Sequence, residues 1–196
     1  MYSSDHCQVQ LSSDRYFAKG SKRICFVHPS NQMLCIKIMK PHGQGSIVNE
    51  NDRDKTDYLT LEKMQNRNLF DHIPKFYGTI NTNLGEGLLL DLIRDGDGKI
   101  SQSLGDLIHV EGMTAPLRES LIKLKSWQLK ENLFTTDTGP HNVVVQKITS
   151  SNWKLFYIEG LLNKRFSLLV RYFTSFSKFM IRREHAKFDR RLNSAL

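Results

Sequence analysis

Cysteine is scarce in this chain. There are three in 196 residues, at Cys7, Cys25 and Cys35. They show no metal-ligand spacing and cannot all pair with one another, which excludes a disulfide scaffold and points to reduced thiols in the cytosol. Long apolar runs are missing too: none approaches the roughly 20 residues needed to cross a bilayer. The opening Met1-Tyr2-Ser3-Ser4-Asp5-His6 lacks the charged-then-apolar layout of a secretory signal. No internal repeat or low-complexity segment is visible. The expectation is a soluble cytoplasmic protein of ordinary globular composition, 39% hydrophobic and 24% charged, with a length suited to one domain or two packed lobes.

Acidic residues are also in deficit, with 20 Asp and Glu against 28 Lys and Arg. The imbalance is local. Residues 160–196 hold nine Lys or Arg against only Glu184 and Asp189, so +7 of the net +8 lies there. A nearly neutral body with a cationic tail predicts an anionic partner for residues 164–191: phosphate, acidic glycan, membrane surface or nucleic acid. Nucleic acid is the weakest of these, because no recognised binding motif accompanies the charge.

The first ninety residues read mostly as strands. Cys25-Phe26-Val27-His28 and Met33 to Met39 flank the turn-rich Pro29-Ser30-Asn31-Gln32 and predict a hairpin. After a polar stretch around His42-Gly43-Gln44-Gly45 comes a helical segment over about Asn49–Asn66, with a thin apolar stripe from Tyr58, Leu61, Met64 and Gln65. Pro74–Ile80 and Gly87–Ile93 predict a second strand pair. From Leu104 the period changes. Leu117, Leu121 and Leu124, with Ile122 and Leu129, mark a helix entered after Pro116, followed by strands at Val143–Val145 and Trp153–Ile158 and a long helical pattern over about Phe166–Leu192. The predicted class is α+β and bilobal, with an antiparallel N-lobe over 1–93. A reduced helical C-lobe over 94–196 carries one hairpin and the basic helix.

Within that order, Thr136-Asp137-Thr138-Gly139-Pro140-His141-Asn142 precedes the second hairpin, whose last strand runs into Glu159-Gly160. An acid, an amide and a strand-end carboxylate in this order suit kinase-type phosphoryl transfer. That reaction needs phosphates held, their charge neutralised through metal ions, and the attacking oxygen aligned. Asp137 would accept the proton of the acceptor hydroxyl, while Asn142 and Glu159 would bind Mg2+. Lys37, in the apolar strand Cys35-Ile36-Lys37-Ile38, would pair with the α and β phosphates, and the Gly20-Ser21 loop would approach them. Asp54 is the best-placed carboxylate to hold Lys37, with Asp52 and Asp57 as competitors. Each feature has a plainer reading: an edge lysine, a charged helix face, a turn before a strand. The combination in one order is what argues for the site.

These residues give the chain a resemblance to the YrbL family, the bacterial PhoP regulatory network protein group with a protein-kinase-like fold. The resemblance is carried by Gly20-Ser21-Lys22-Arg23 through His28-Pro29, by Cys35-Ile36-Lys37-Ile38 and by Ile73-Pro74-Lys75-Phe76-Tyr77-Gly78-Thr79. Asp91-Leu92-Ile93, Asp95-Gly96-Asp97-Gly98 and the Pro140-x-Asn142 loop extend it. It implies a kinase-like module that binds ATP and Mg2+, with Leu92 and Ile93 as the adenine-binding hinge. The implied function is phosphotransfer to a hydroxyl of a sugar or other small molecule, or else a catalytically weak pseudokinase-type regulatory role. Departures from a kinase pattern sustain the second possibility. Asp54 stands for Glu, Glu159 stands for Asp, no His-Arg precedes Asp137, Glu159-Gly160-Leu161 lacks the aromatic of Asp-Phe-Gly, and few residues follow.

In the tail, Leu169, Phe173, Phe176, Met180 and His185 fall near one helical face. Lys164, Arg171, Lys178, Arg182 and Arg190 fall toward the others. The apolar stripe is expected to pack in the core. The arginines would then line a cleft for an anionic substrate or lie on an acidic membrane or lipopolysaccharide-precursor surface.

Overall fold

Alternation in the first ninety residues produces a five-stranded antiparallel sheet. The computed structural model describes residues 8–40, 49–64, 66–135, 139–162 and 174–193. The strands are β1 (Tyr16–Lys19), β2 (Arg23–His28), β3 (Asn31–Met39), β4 (Phe76–Thr82) and β5 (Gly85–Asp91), in the spatial order β1-β2-β3-β5-β4. Both predicted strand pairs are present. The polar stretch around His42 and Gly45 lies outside the described residues, as does Cys7.

Register sorts the side chains onto two faces, because directly paired residues point the same way. Ile24↔Ile38, Phe26↔Ile36 and Ile36↔Leu89 share one face, where Leu11, Phe26, Ile36 and Ile38 form a core with Val9, Ile24, Ile80 and Leu89 against it. Gly87 pairs with Ile38 on that face, and a Cβ there would come within 2.5 Å of Ile36 Cγ2 and 2.6 Å of Ile38 Cδ1. Any other residue would collide with the core. The opposite face carries Cys25 and Lys37, and here helix α1 (Glu50–Lys63) packs, its Tyr58 ring stacked on Phe76 with centroids 5.2 Å apart.

The remaining helices are α2 (Leu104–Glu111), α3 (Ala115–Lys130) and α4 (Thr174–Asn193). Proline opens α3, where it needs no N–H partner. α2 was not singled out in the sequence, although Ser103 caps it: its Oγ accepts from the Asp106 N–H at 3.1 Å and donates to Asp106 Oδ2 at 2.7 Å. A three-stranded sheet joins β6 (Gln102–Ser103), β7 (Val143–Lys147) and β8 (Trp153–Tyr157). Among the described residues no helix is long and apolar enough to cross a membrane.

Contacts divide the chain into two units. The first holds residues 1–59 and 75–92, and the second holds 60–74 and 93–196. The sequence reading drew one boundary, after residue 93. The structure puts 60–74 with the second unit, in which Leu61, Leu69 and Ile73 are buried.

Candidate functional site

In the first unit the helix-facing side of the sheet is polar as well as buried. Lys37 and Arg23 are only 6% and 7% exposed, and Asp54, on α1, is 5% exposed. Asp54 Oδ2 forms an ion pair with Arg23 Nη1. The sequence assigns this carboxylate to Lys37; the structure shows its ion pair with Arg23, on the neighbouring strand. The signal was available: Arg23 pairs with Met39 and Cys25 with Lys37, so strand alternation turns Arg23 to the same face as Lys37. Asn51 Nδ2 donates to the Lys37 carbonyl at 3.0 Å and Lys22 Nζ bonds Glu50 at 2.6 Å, fixing the first turns of α1 to the sheet. The Lys22 hydrogen bond keeps the Glu50 carboxyl below its ordinary range. Burial pushes the Cys35 thiol up to about 12 and the Tyr58 hydroxyl well above its usual range. Neither Cys25 nor Cys35 forms a disulfide among the described residues.

Gly20 and Ser21 form the exposed turn between β1 and β2. The Gly20 N–H donates to the Arg23 carbonyl at 3.0 Å, while the Gly20 and Ser21 carbonyls both accept from Lys40 Nζ. The Gly20 amide is therefore engaged in closing the turn. At the end of β5, the Leu92 N–H bonds the Met33 carbonyl at 2.8 Å, and the Ile93 carbonyl accepts from the Ser101 N–H at 3.0 Å. The division between units falls between these two residues.

In the second unit, Pro140–Asn142 make one 3-10 turn, closed by the Asn142 N–H on the Gly139 carbonyl at 2.9 Å. Proline supplies the fixed φ that starts such a turn. The hairpin pairs Val143 with Tyr157, and one step further the Ile158 N–H donates to the Asn142 carbonyl at 3.0 Å. Asn142 and Glu159 are thus brought to the same end of the hairpin although seventeen positions apart in sequence. Asn142 is buried and Glu159 half-buried. Gly160 follows at φ +68, a left-handed turn that a side chain would strain. Asp137, with Thr136 and Thr138, lies outside the described residues. Among the described residues no group of three or more His, Cys, Asp or Glu side chains forms a metal site. An amide and a carboxylate remain a fitting donor pair for Mg2+, which is usually bound by one or two protein oxygens plus phosphates and water.

Two residues before Asp137, Thr135 ends a buried network that sequence reasoning missed. Gln128, fully buried on α3, donates from Nε2 to Thr135 Oγ1 at 2.7 Å. Its Oε1 accepts from the Tyr157 hydroxyl at 3.0 Å and from His185 Nε2, on α4, at 2.7 Å. The histidine must carry its proton on Nε2 to donate there. Burial draws its pKa from 6.5 down to about 4 and keeps it neutral. Beside this network Phe134 packs with Met180 and Ile181 of α4. The expected apolar stripe of the tail accordingly lies in the core at Met180 and is half-buried at Phe176. Leu169 and Phe173, with Lys164 and Arg171, lie outside the described residues.

These features define an α+β protein with a buried ionic helix clamp in one unit and an amide–carboxylate pair at the end of a hairpin in the other. A family model described as PhoP regulatory network protein YrbL matches residues 9–193, and the chain belongs to that family. It is 30% identical over 148 residues to the protein named "Uncharacterized protein YrbL" of Escherichia coli, covering 73% of this chain and 68% of the relative. The figures for the same-named protein of Shigella flexneri are identical.

Proposed function

We propose that the chain is a kinase-like protein of the cytoplasm that binds ATP with Mg2+ and transfers a phosphoryl group to a hydroxyl of a sugar or other small molecule. The observation that carries this reading is the Ile158–Asn142 backbone bond, which sets Asn142 beside Glu159 at one end of the hairpin. Lys37 supports it as a buried cation on the third strand of the sheet, the strand on which protein kinases carry their phosphate-binding lysine.

In this reading Asn142 and Glu159 would hold Mg2+ through oxygen, which would supply charge neutralisation at the phosphates. Lys37 pairs with the α and β phosphates, and Gly20 and Ser21 cover them. Leu92 and Ile93 line the adenine. Asp137 orients the acceptor hydroxyl and takes its proton as the oxygen bonds to the γ phosphorus and ADP leaves.

A second reading, a pseudokinase-type regulatory protein, is favoured by the Arg23–Asp54 pair, because the helix carboxylate that steadies the lysine in a kinase is engaged here by another cation. The relatives' family description, a PhoP regulatory network protein, agrees with it. Thermal melts with ATP, with and without Mg2+, test the shared claim. Stabilisation that requires the metal and disappears in Asn142→Ala is expected; an unchanged melting temperature in the wild type overturns nucleotide binding. Stabilisation without ADP release above background, across a panel of sugars, selects the second reading.

A further inference from the structure

We propose that the outward arc of α4 is a docking surface for an acidic lipid bilayer. The helix turns Met180, Ile181, Phe188 and Leu192 inward, where all are buried. At 3.6 residues per turn, Phe179, Arg182, Arg183, Ala186 and Arg190 fall within an arc of about 100° on the other side, about 16 Å from end to end. All five are exposed, Phe179 at 60%. The two acids of the helix lie off this arc and are engaged, Glu184 by Lys187 at 2.6 Å and Asp189 by Lys125. None of the three arginines bonds a carboxylate among the described residues. The arc is therefore a straight cationic ridge without internal neutralisation, and only an anionic surface complements it.

The form of the ridge selects among anions. Its five residues are all exposed along one line of the helix, which suits a plane of mobile headgroups better than a pocketed small ligand. Between Phe179 and Arg190 the arc carries no amide or hydroxyl side chain, so arginine is its sole means of reading a base edge. Its aromatic stands at one end, where the ring can sink among headgroups while guanidinium groups bind lipid phosphates. Because the apolar face of α4 is committed to the core, attachment is mainly electrostatic and sensitive to salt. It is also peripheral, since no described helix can span. The proposal does not use the nucleotide reading.

Co-sedimentation of the full chain with vesicles of phosphatidylglycerol and phosphatidylcholine, against vesicles of phosphatidylcholine alone, tests it. Binding is expected to the acidic vesicles and not to the neutral ones, and to weaken as salt rises. Arg182→Glu with Arg190→Glu should lower affinity at least roughly tenfold at unchanged melting temperature, and Arg182→Lys with Arg190→Lys should retain it. Phe179→Ala should cause a smaller loss that persists at high salt. Equal binding to neutral vesicles, or undiminished binding by the Glu variant, overturns the proposal. So does an RNA oligonucleotide that binds through the same arginines and displaces the vesicles; that result would make nucleic acid the partner.

Discussion

Each unit buries a polar centre, and the two are built on different principles. In the first, Arg23 and Asp54 are both charged and both nearly inaccessible, tying β2 to α1. In the second, Gln128 is neutral and joins α3, β8, α4 and the segment before Asp137 through three hydrogen bonds. A buried ion pair gains little net stability over an apolar pair of similar volume, but losing one partner strands a charge. A neutral network is cheaper to damage, because each lost bond leaves only a dipole unsatisfied. The first centre should therefore be intolerant of single changes and tolerant of paired ones, and the second the reverse.

The largest effect is expected for Arg23→Met. It should destabilise by about 3–5 kcal/mol in denaturant titrations, and Arg23→Met with Asp54→Leu should recover most of the loss. If the double variant is no better than the single one, the contrast between the two centres fails. Gln128→Leu should cost about 1–3 kcal/mol by orphaning Tyr157, Thr135 and His185, and Tyr157→Phe added to it should not restore the wild type. A third test is the slope of stability with pH. His185 has its folded pKa drawn from 6.5 to about 4, so its contribution is complete above pH 6.5 and is lost as pH falls toward 4, where the unfolded chain binds the extra proton. Burial lowers the pKa of His72 in the same direction. Melting temperature should fall across this window, and less steeply in His185→Gln. Smallest of all is Tyr58→Phe. The Tyr58 hydroxyl is buried with no hydrogen-bond partner among the described residues, so its removal should leave stability unchanged or raise it by up to about 1 kcal/mol. A clear loss would expose a bond to that oxygen.

Much of the secondary structure was legible because each strand or helix declared itself through its own period. The β2–β3 and β4–β5 hairpins, α1, α3 and the β7–β8 hairpin follow from alternation, turn residues and a proline at a helix start. The thin stripe of α1 also had a cause, now visible: this helix packs through Asn51, Asp54 and Asp57 as well as Tyr58, so apolar spacing under-reports its buried face. Two things were not legible. The ion pair of Asp54 with Arg23 emerges only when the hairpin register is carried from Lys37 across to Cys25 and along to Arg23. The membership of residues 60–74 in the second unit has no local signature either, because a period does not name a side chain's neighbours. At the candidate site, the hairpin that places Asn142 and Glu159 together was readable, whereas the Gln128 network was not, since a lone Gln and a lone His carry no period.

The chain changes unit three times, after Leu59, after Pro74 and after Leu92. No single scission can therefore release either half as a self-sufficient piece. A fragment ending at Leu92 would carry residues 60–74 without the rest of the unit to which they belong, and it should aggregate rather than fold.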